Sequence, residues 1–338
     1  AGVSRATVSM VLNDRTKGTV SADTKAKVLA AAAELGYTRS AIALSLKEQR
    51  TRTIGLITDE IATSPWAGRM IRAASATAEE AGYMVLTVDL SLRSTDASDA
   101  VRALTERQVD GLLFATMGRT RVPMPDHRAG LPLVLLNCEP EEAIADDRDS
   151  ATIPSFLPDD RGGARRAAQR LLEVGHRRVV MLAGDDDTVG NVERIAGYRH
   201  AMKAAGMEAQ VVRAGWQMDD GYREMLRLLD GERPPTAVLC IRDRVAAGAI
   251  HAAAVRGVEV PDGLSVVGFD DEDFFAEVLT PPLSTLALPH EDMGRGAMQV
   301  LLGMIDGTDP VTDGARWPRV IACPLVERQT VGAPPLRA

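Results

Sequence analysis

This chain of 338 residues is poor in aromatic side chains: Phe, Tyr and Trp together make up 4%, with three tryptophans. It has three cysteines, Cys138, Cys240 and Cys323, far apart and odd in number. That count and spacing exclude a disulfide framework and a thiolate metal site, and they suit buried thiols in a reducing compartment. No apolar run reaches the roughly 18 residues that a bilayer span requires, so no membrane segment is expected. No basic stretch followed by an apolar stretch opens the sequence, so nothing marks the chain for secretion and a cytoplasmic location is expected. Catalytic signatures are missing as well: there is no G-x-S-x-G elbow, no G-x-G-x-x-G and no Walker loop. The five histidines are scattered, and His176 falls in a helix-to-strand turn where structural use is usual. The acidic triplet Asp185, Asp186 and Asp187 reads as a solvated loop. These absences argue against an enzyme, a metal and a cofactor.

What is present is ordinary globular material, 45% hydrophobic and 25% charged, enough for two or three cores. The net charge of −8 hides a division. Residues 1–53 hold nine Lys and Arg against four Asp and Glu; the remainder holds thirty against forty-three. A cationic head on an anionic body is the pattern expected if only the head meets phosphates.

The head reads as two short helices. Ser4 is an N-cap candidate for a helix from about Arg5 to Asn13, and Ser21 for a second helix that ends at Gly36. At about 100° per residue, Val8, Val11 and Leu12 share one arc of the first helix, and Arg5, Ala6, Ser9, Met10 and Asn13 the opposite one. A guanidinium, a hydroxyl, an amide and two apolar groups on one face are what a major-groove helix needs. In the second helix Val28, Leu29, Ala32 and Leu35 recur at helical spacing, so the two helices are expected to share a small core.

From Thr53 onward short apolar strands alternate with helices that mostly end in glycine. That alternation implies parallel sheets covered on both faces, and its length implies two doubly wound lobes with a cleft between them. Open α/β sheets bind ligands beyond the carboxyl ends of their strands. Those ends hold Thr58 to Trp66, Asp89, Thr116, Asn137, Asp185 to Arg194, Trp216, Arg242 and Asp270. Two of the three tryptophans are among them. Aromatic walls with carboxylate, guanidinium and amide groups suit a polyhydroxylated ligand.

At this point the blocks GVSRATVSMVLND, VSADTKAKVLAAAAELGY, SAIALSLK, RTRTIGLI, RQVDGLL, GHRRVVMLAG, ERIAGY and VVGFDD, in this order, resemble the lactose-repressor/galactose-repressor (LacI/GalR) family of transcription regulators. The resemblance implies a homodimer on a near-palindromic double-stranded operator, controlled by a small-molecule effector, with a body similar in fold to periplasmic sugar-binding proteins. It implies that Arg5, Ala6 and Met10 face bases, that Thr7, Ser9 and Asn13 sit nearer phosphates, and that SAIALSLK forms a hinge helix. There Ser40 replaces the usual asparagine, and Leu46 matches the leucine that wedges into a minor-groove step. Arg194 and Asp270 match the family's main effector contacts, with Trp66, Asn137, Thr188, Trp216 and Arg242 lining the same pocket.

The family opens with a helix before the turn whereas this chain begins at the turn, so a first helix is expected to be missing. The expected division is a helix-turn-helix head at 1–38 and a hinge and linker at 39–52. The first lobe takes 53–157 with about 286–316, the second 158–285 with about 317–329, and a frayed tail 330–338. Leu288 falls near a position that is often glutamine. Arg242 stands where sugar-binding members often carry asparagine. It either hints at an anionic effector such as a sugar acid, or turns outward or pairs with Asp243 or Asp270. The alternative to a metabolite-controlled regulator is a solute-binding receptor of the periplasmic type without DNA binding.

Overall fold

The structure, a computed structural model, describes residues 1–12, 18–37, 50–59, 68–90, 97–124, 130–141, 153–308 and 316–335. They form two compact units, 1–52 and 53–338. Among the described residues no helix is long and apolar enough to cross a membrane.

The first unit holds α1 (Arg5–Leu12) and α2 (Ala22–Glu34). Both start where a hydroxyl satisfies an orphan amide: Thr7 N donates to Ser4 Oγ at 3.1 Å and Thr24 N to Ser21 Oγ at 3.2 Å. Helix α2 stops at Gly36, whose φ of +60° no β-carbon hinders. Val11 and Val28 are the buried side chains of the two helices. The sequence expected more of α2, yet Leu29 is 46% exposed and Leu35 81%. Helical spacing marks an apolar stripe, but of the described residues the short α1 presents too little surface to cover it.

The second unit has two lobes. The first sheet contains β1 (Thr53–Asp59), β2 (Met84–Leu90), β3 (Gly111–Val122), β4 (Leu133–Pro140) and β5 (Ser155–Pro158). Helices α3 (Gly68–Glu80) and α4 (Ser98–Glu106) connect its early strands. The second sheet contains β6 (Val179–Ala183), β7 (Gln210–Arg213), β8 (Ala237–Cys240), β9 (Ser265–Asp270) and β10 (Ser284–Ala287). Helices α5 (Asp160–Glu173), α6 (Val189–Ala204), α7 (Met218–Leu229) and α8 (Asp243–Val255) cover it. The chain then returns to the first lobe for α9 (His290–Ile305) and β11 (Arg319–Ile321), and to the second for β12 (Leu325–Val326).

Strand order is β11-β5-β4-β3-β1-β2 in the first sheet and β12-β10-β9-β8-β6-β7 in the second. All pairings are parallel except β10 with β12. The central strands are continuous apolar runs, as parallel strands covered on both faces must be: Val179–Ala183 and Ala237–Cys240 are buried throughout. Separate apolar clusters form on the two faces of the first sheet, and one large cluster fills the second lobe.

The chain passes between the lobes three times, at residues 158–160, 287–290 and 321–325. Two details differ from the sequence reading. Arg319–Ile321 pairs with β5 and so belongs to the first lobe, not the second. Residues 330–335 do not fray. Thr330 is buried, Val266 N donates to Thr330 O at 2.8 Å, and Gly332 N donates to Ser265 Oγ at 3.0 Å. These short segments bond to strands and polar side chains distant in sequence, a pairing that leaves no periodic apolar signal.

Candidate functional site

Two sites come from the residues singled out in the sequence. The first is the outer face of α1, where Arg5, Ala6 and Ser9 are exposed and Thr7 and Met10 half-buried. The Thr7 hydroxyl lies 2.9 Å from that of Ser4, so the cap engages it. Asn13, Ser40 and Leu46, and with them the expected hinge helix, lie outside the described residues, as does Trp66.

The second site is a cavity of about 460 Å³ between the lobes of the second unit. It is bordered by Asn137, Thr188, Arg194, Trp216, Arg242 and Asp270, six of the seven residues assigned to it from sequence. Leu288 also borders it, as do Asp59, Arg119, Asp160 and Asp186.

The first-lobe wall is shaped by an irregularity in β3, whose register against β4 shifts between Ala115 and Thr120. Asn137 staples this bulge. Its Nδ2 donates to Thr116 O and Met117 O, both at 3.1 Å, from a backbone in the left-handed region at φ 61°. Thr116 Oγ1 donates to Asn137 O at 2.8 Å, and Met117 N to Asp59 Oδ1 at 2.6 Å. A bulge re-aims the side chains around it. Here it turns Arg119 into the cleft, where Nε and Nη2 donate to Glu139 Oε1 at 2.9 and 2.7 Å. Asn137 therefore acts on the site through the backbone it holds, since both its amide protons are committed inside the first lobe.

The second-lobe wall is built from strand ends and helix starts. Gly184 follows β6, and a β-carbon there would lie 2.6 Å from the Trp216 ring, so only glycine admits the indole. Trp216 Nε1 donates to Asp186 Oδ2 at 2.9 Å, and Thr188 Oγ1 to Asp186 Oδ1 at 2.8 Å, so Asp186 orients both. Arg194 reaches in from α6. Its Nε donates to Asp160 Oδ1 at 2.8 Å and its Nη1 to Ile241 O at 2.6 Å, and it lies 3.7 Å above the Phe269 ring centre.

Asp270 ends β9 at φ 121°, a costly conformation for a residue with a β-carbon. Its carboxylate lies 3.6 Å from Arg194 Nη1 and 3.5 Å from Arg242 Nε. Arg242 thus points inward and faces Asp270. Asp243, next in the chain, supports the turn after β9. It accepts from Glu272 N at 2.8 Å and from Thr285 Oγ1 at 2.5 Å.

Burial pushes the carboxyl pKa of both Asp160 and Asp270 above its ordinary value, against the pull of Arg194 on each. Asp243 is raised well above its ordinary value, by burial first and then by the Asp270 charge. The deep wall alternates guanidinium and acid, Arg119, Asp160, Arg194, Asp270 and Arg242, with Glu139 pairing Arg119 from behind the lining. Such a surface binds a neutral polar ligand without leaving either sign in excess. Sequence reasoning missed Arg119 and Asp160. The only signal for Asp160 was its place just ahead of a helix, and for Arg119 there was none, because a bulge sets its direction.

Residues 1–40 match the model of bacterial regulatory proteins of the lacI family, and residues 168–331 that of the periplasmic binding protein-like domain. The HTH-type transcriptional regulator DegA of Bacillus subtilis (strain 168) is 33% identical over 297 residues, covering 87% of this chain and 86% of that protein. The crystal structure of the lac repressor dimer bound to operator and the anti-inducer ONPF is 26% identical with a TM-score of 0.78, covering 98% of this chain and 96% of that one. A complex of the transcriptional regulator CelR with cellobiose is 29% identical with a TM-score of 0.68, covering 97% of this chain and 96% of that one. The match over residues 1–40 leaves the reading as a receptor without a DNA reader unsupported.

Proposed function

This chain belongs to the lacI family of bacterial regulatory proteins; it is a DNA-binding transcriptional repressor and not an enzyme, and we propose that a small metabolite held in the cleft, a sugar or a sugar acid, sets its grip on DNA. The cleft carries this reading: six of the seven residues that the family resemblance assigns to the effector pocket border one cavity of about 460 Å³. In this reading a homodimer in the cytoplasm binds a near-palindromic operator. Arg5, Ala6 and Met10 of α1 read base edges, Thr7, Ser9 and Asn13 contact phosphates, and Ser40 and the wedging Leu46 belong to a hinge that folds on DNA.

Arg194 and Asp270 are the main effector contacts, and Trp216, Trp66 and Thr188 line the aromatic side. A ligand that binds one arrangement of the lobes more tightly than another shifts the population, and operator affinity follows by linkage. Because Arg242 faces Asp270 at 3.5 Å, its charge is already compensated, which favours a neutral sugar over a sugar acid.

The test is selection of duplexes from a random library by the full chain, followed by competition with and without sugars and sugar acids. Enrichment of a near-palindrome whose affinity one of these ligands alters supports the reading. No preference over random competitor in any condition would overturn it.

A further inference from the structure

One acceptor in the cleft wall has no donor. Asp160 is fully buried, its Oδ1 receives Arg194 Nε, and its Oδ2 has no hydrogen-bond partner. The nearest first-lobe cation is Arg119, whose Nη1 stands 3.8 Å from Oδ2, beyond hydrogen-bond reach. It is held off because Nε and Nη2 are both engaged by Glu139. A buried carboxylate oxygen without a donor is costly, and here the deficit lies between two side chains that both border the cavity.

The gap has a definite chemistry. An oxygen about 2.8 Å from both atoms would span it with an angle of about 85°, enough to accept from Arg119 and donate to Asp160. A carboxylate can accept there but cannot donate, and it would meet the charges of Asp160 and Glu139. An ammonium can donate but would meet Arg119. A hydroxyl does both and carries no charge. Gly190 leaves room beside it: a β-carbon there would come into ordinary contact with Arg119 Cβ at 3.7 Å and Asp160 Oδ2 at 4.0 Å.

We propose that Arg119 and Asp160 form a hydroxyl-selective subsite of the cleft, filled by one hydroxyl of a neutral polyhydroxylated ligand that accepts from Arg119 Nη1 and donates to Asp160 Oδ2. The proposal rests on the cleft being the effector site, and it makes Arg119 a specificity-determining residue. Because Arg119 stands on β3 of the first lobe and Asp160 begins α5 of the second, the bound hydroxyl also ties the lobes together.

The test is calorimetric titration of the full chain with ribose, glucose, galactose and cellobiose, and with glucosamine, galactosamine, glucuronate and galacturonate as charged counterparts. The unaltered protein should favour a neutral sugar over its charged counterparts. Arg119→Met should weaken that sugar about tenfold and move the ranking toward the amino sugar, leaving Asp160 and Glu139 to attract it. Asp160→Asn should move it toward the uronate, and Arg119→Lys should weaken binding while keeping the neutral preference. Melting without ligand checks folding, and if Asp160→Asn does not fold, the two Arg119 variants decide alone. A ranking unmoved by Arg119→Met overturns this proposal and leaves the effector reading intact. Failure of every sugar to bind the unaltered protein overturns both.

Discussion

Arg194 Nε donates to Asp160 Oδ1 at 2.8 Å, binding the first turns of α6 to the start of α5. The same guanidinium lies 3.6 Å from Asp270 and stacks on Phe269, so one side chain neutralises two buried acids. Breaking a buried pair costs more than the pair contributes, because the remaining charge stays without water.

Arg194→Met is therefore expected to destabilise the second unit by about 3–5 kcal/mol in denaturant unfolding. The deficit should shrink as pH falls. Burial raises the pKa of Asp160 and Asp270 in the fold, so the folded state holds protons that the unfolded chain has released. Their contribution to stability is complete below the unfolded carboxyl value, about 3.9, and is lost as pH rises through the folded value. Loss of Arg194 should accentuate that dependence, and equal pH profiles for both proteins would refute the account.

Asn137 offers a separable pair of effects. Asn137→Ala removes the staple from Thr116 O and Met117 O and leaves a β-carbon at φ 61°; Asn137→Gly removes only the staple. Alanine should cost about 2–3 kcal/mol and glycine about 1 kcal/mol less. Chemical denaturation of the two variants checks this, and glycine proving no better than alanine would show that the backbone there is not strained.

Gly184 should tolerate nothing larger. A methyl group would lie 2.6 Å from the Trp216 ring, so Gly184→Ala must push the indole off its bond to Asp186. A loss of about 1–3 kcal/mol and a change in tryptophan emission are expected. An unchanged spectrum with native stability would mean that the ring does not rest on this glycine.

His176 contributes a loss of stability on acidification. It is buried between Thr236 Oγ1 and Ser265 Oγ, each 2.9 Å away, and burial lowers its pKa from the ordinary value. Neutral in the fold and protonatable when unfolded, it contributes stability that is complete above about pH 6.5 and is lost as pH falls through the folded value. Against the opposite contribution of Asp160 and Asp270, the unaltered protein should lose melting temperature relative to His176→Gln on acidification through that window. Parallel curves for the two proteins would count against this.

Much of this molecule was legible along the chain. Glycines 36, 82, 175, 206 and 257 follow helices and take positive φ, so they located the helix ends. Continuous apolar runs such as VVMLA located the buried strands. Six of the seven residues that the family resemblance assigns to the effector pocket border one cavity, and they lie where strand ends of the parallel sheets converge. The failures have a common cause. Arg119 is aimed by a bulge, Asp160 is selected by Arg194 from another helix, and β11 and residues 330–335 find partners distant in sequence. Leu29 and Leu35 carried the right periodicity, but no described residue covers them. Periodicity reports what a segment can bury, and direction and partnership are decided elsewhere.

The three strands of backbone between the lobes carry a mechanical consequence. A single tether would let the halves swivel freely, whereas three crossings, like the leaves of a hinge, oppose free rotation and leave closure to the element ends where they lie. Asp160 and Leu288 sit in two of these leaves and also border the cavity, so a molecule lodged there presses on the flexure itself. A displacement of a fraction of an ångström at the crease is magnified at the outer rims in proportion to their distance from it.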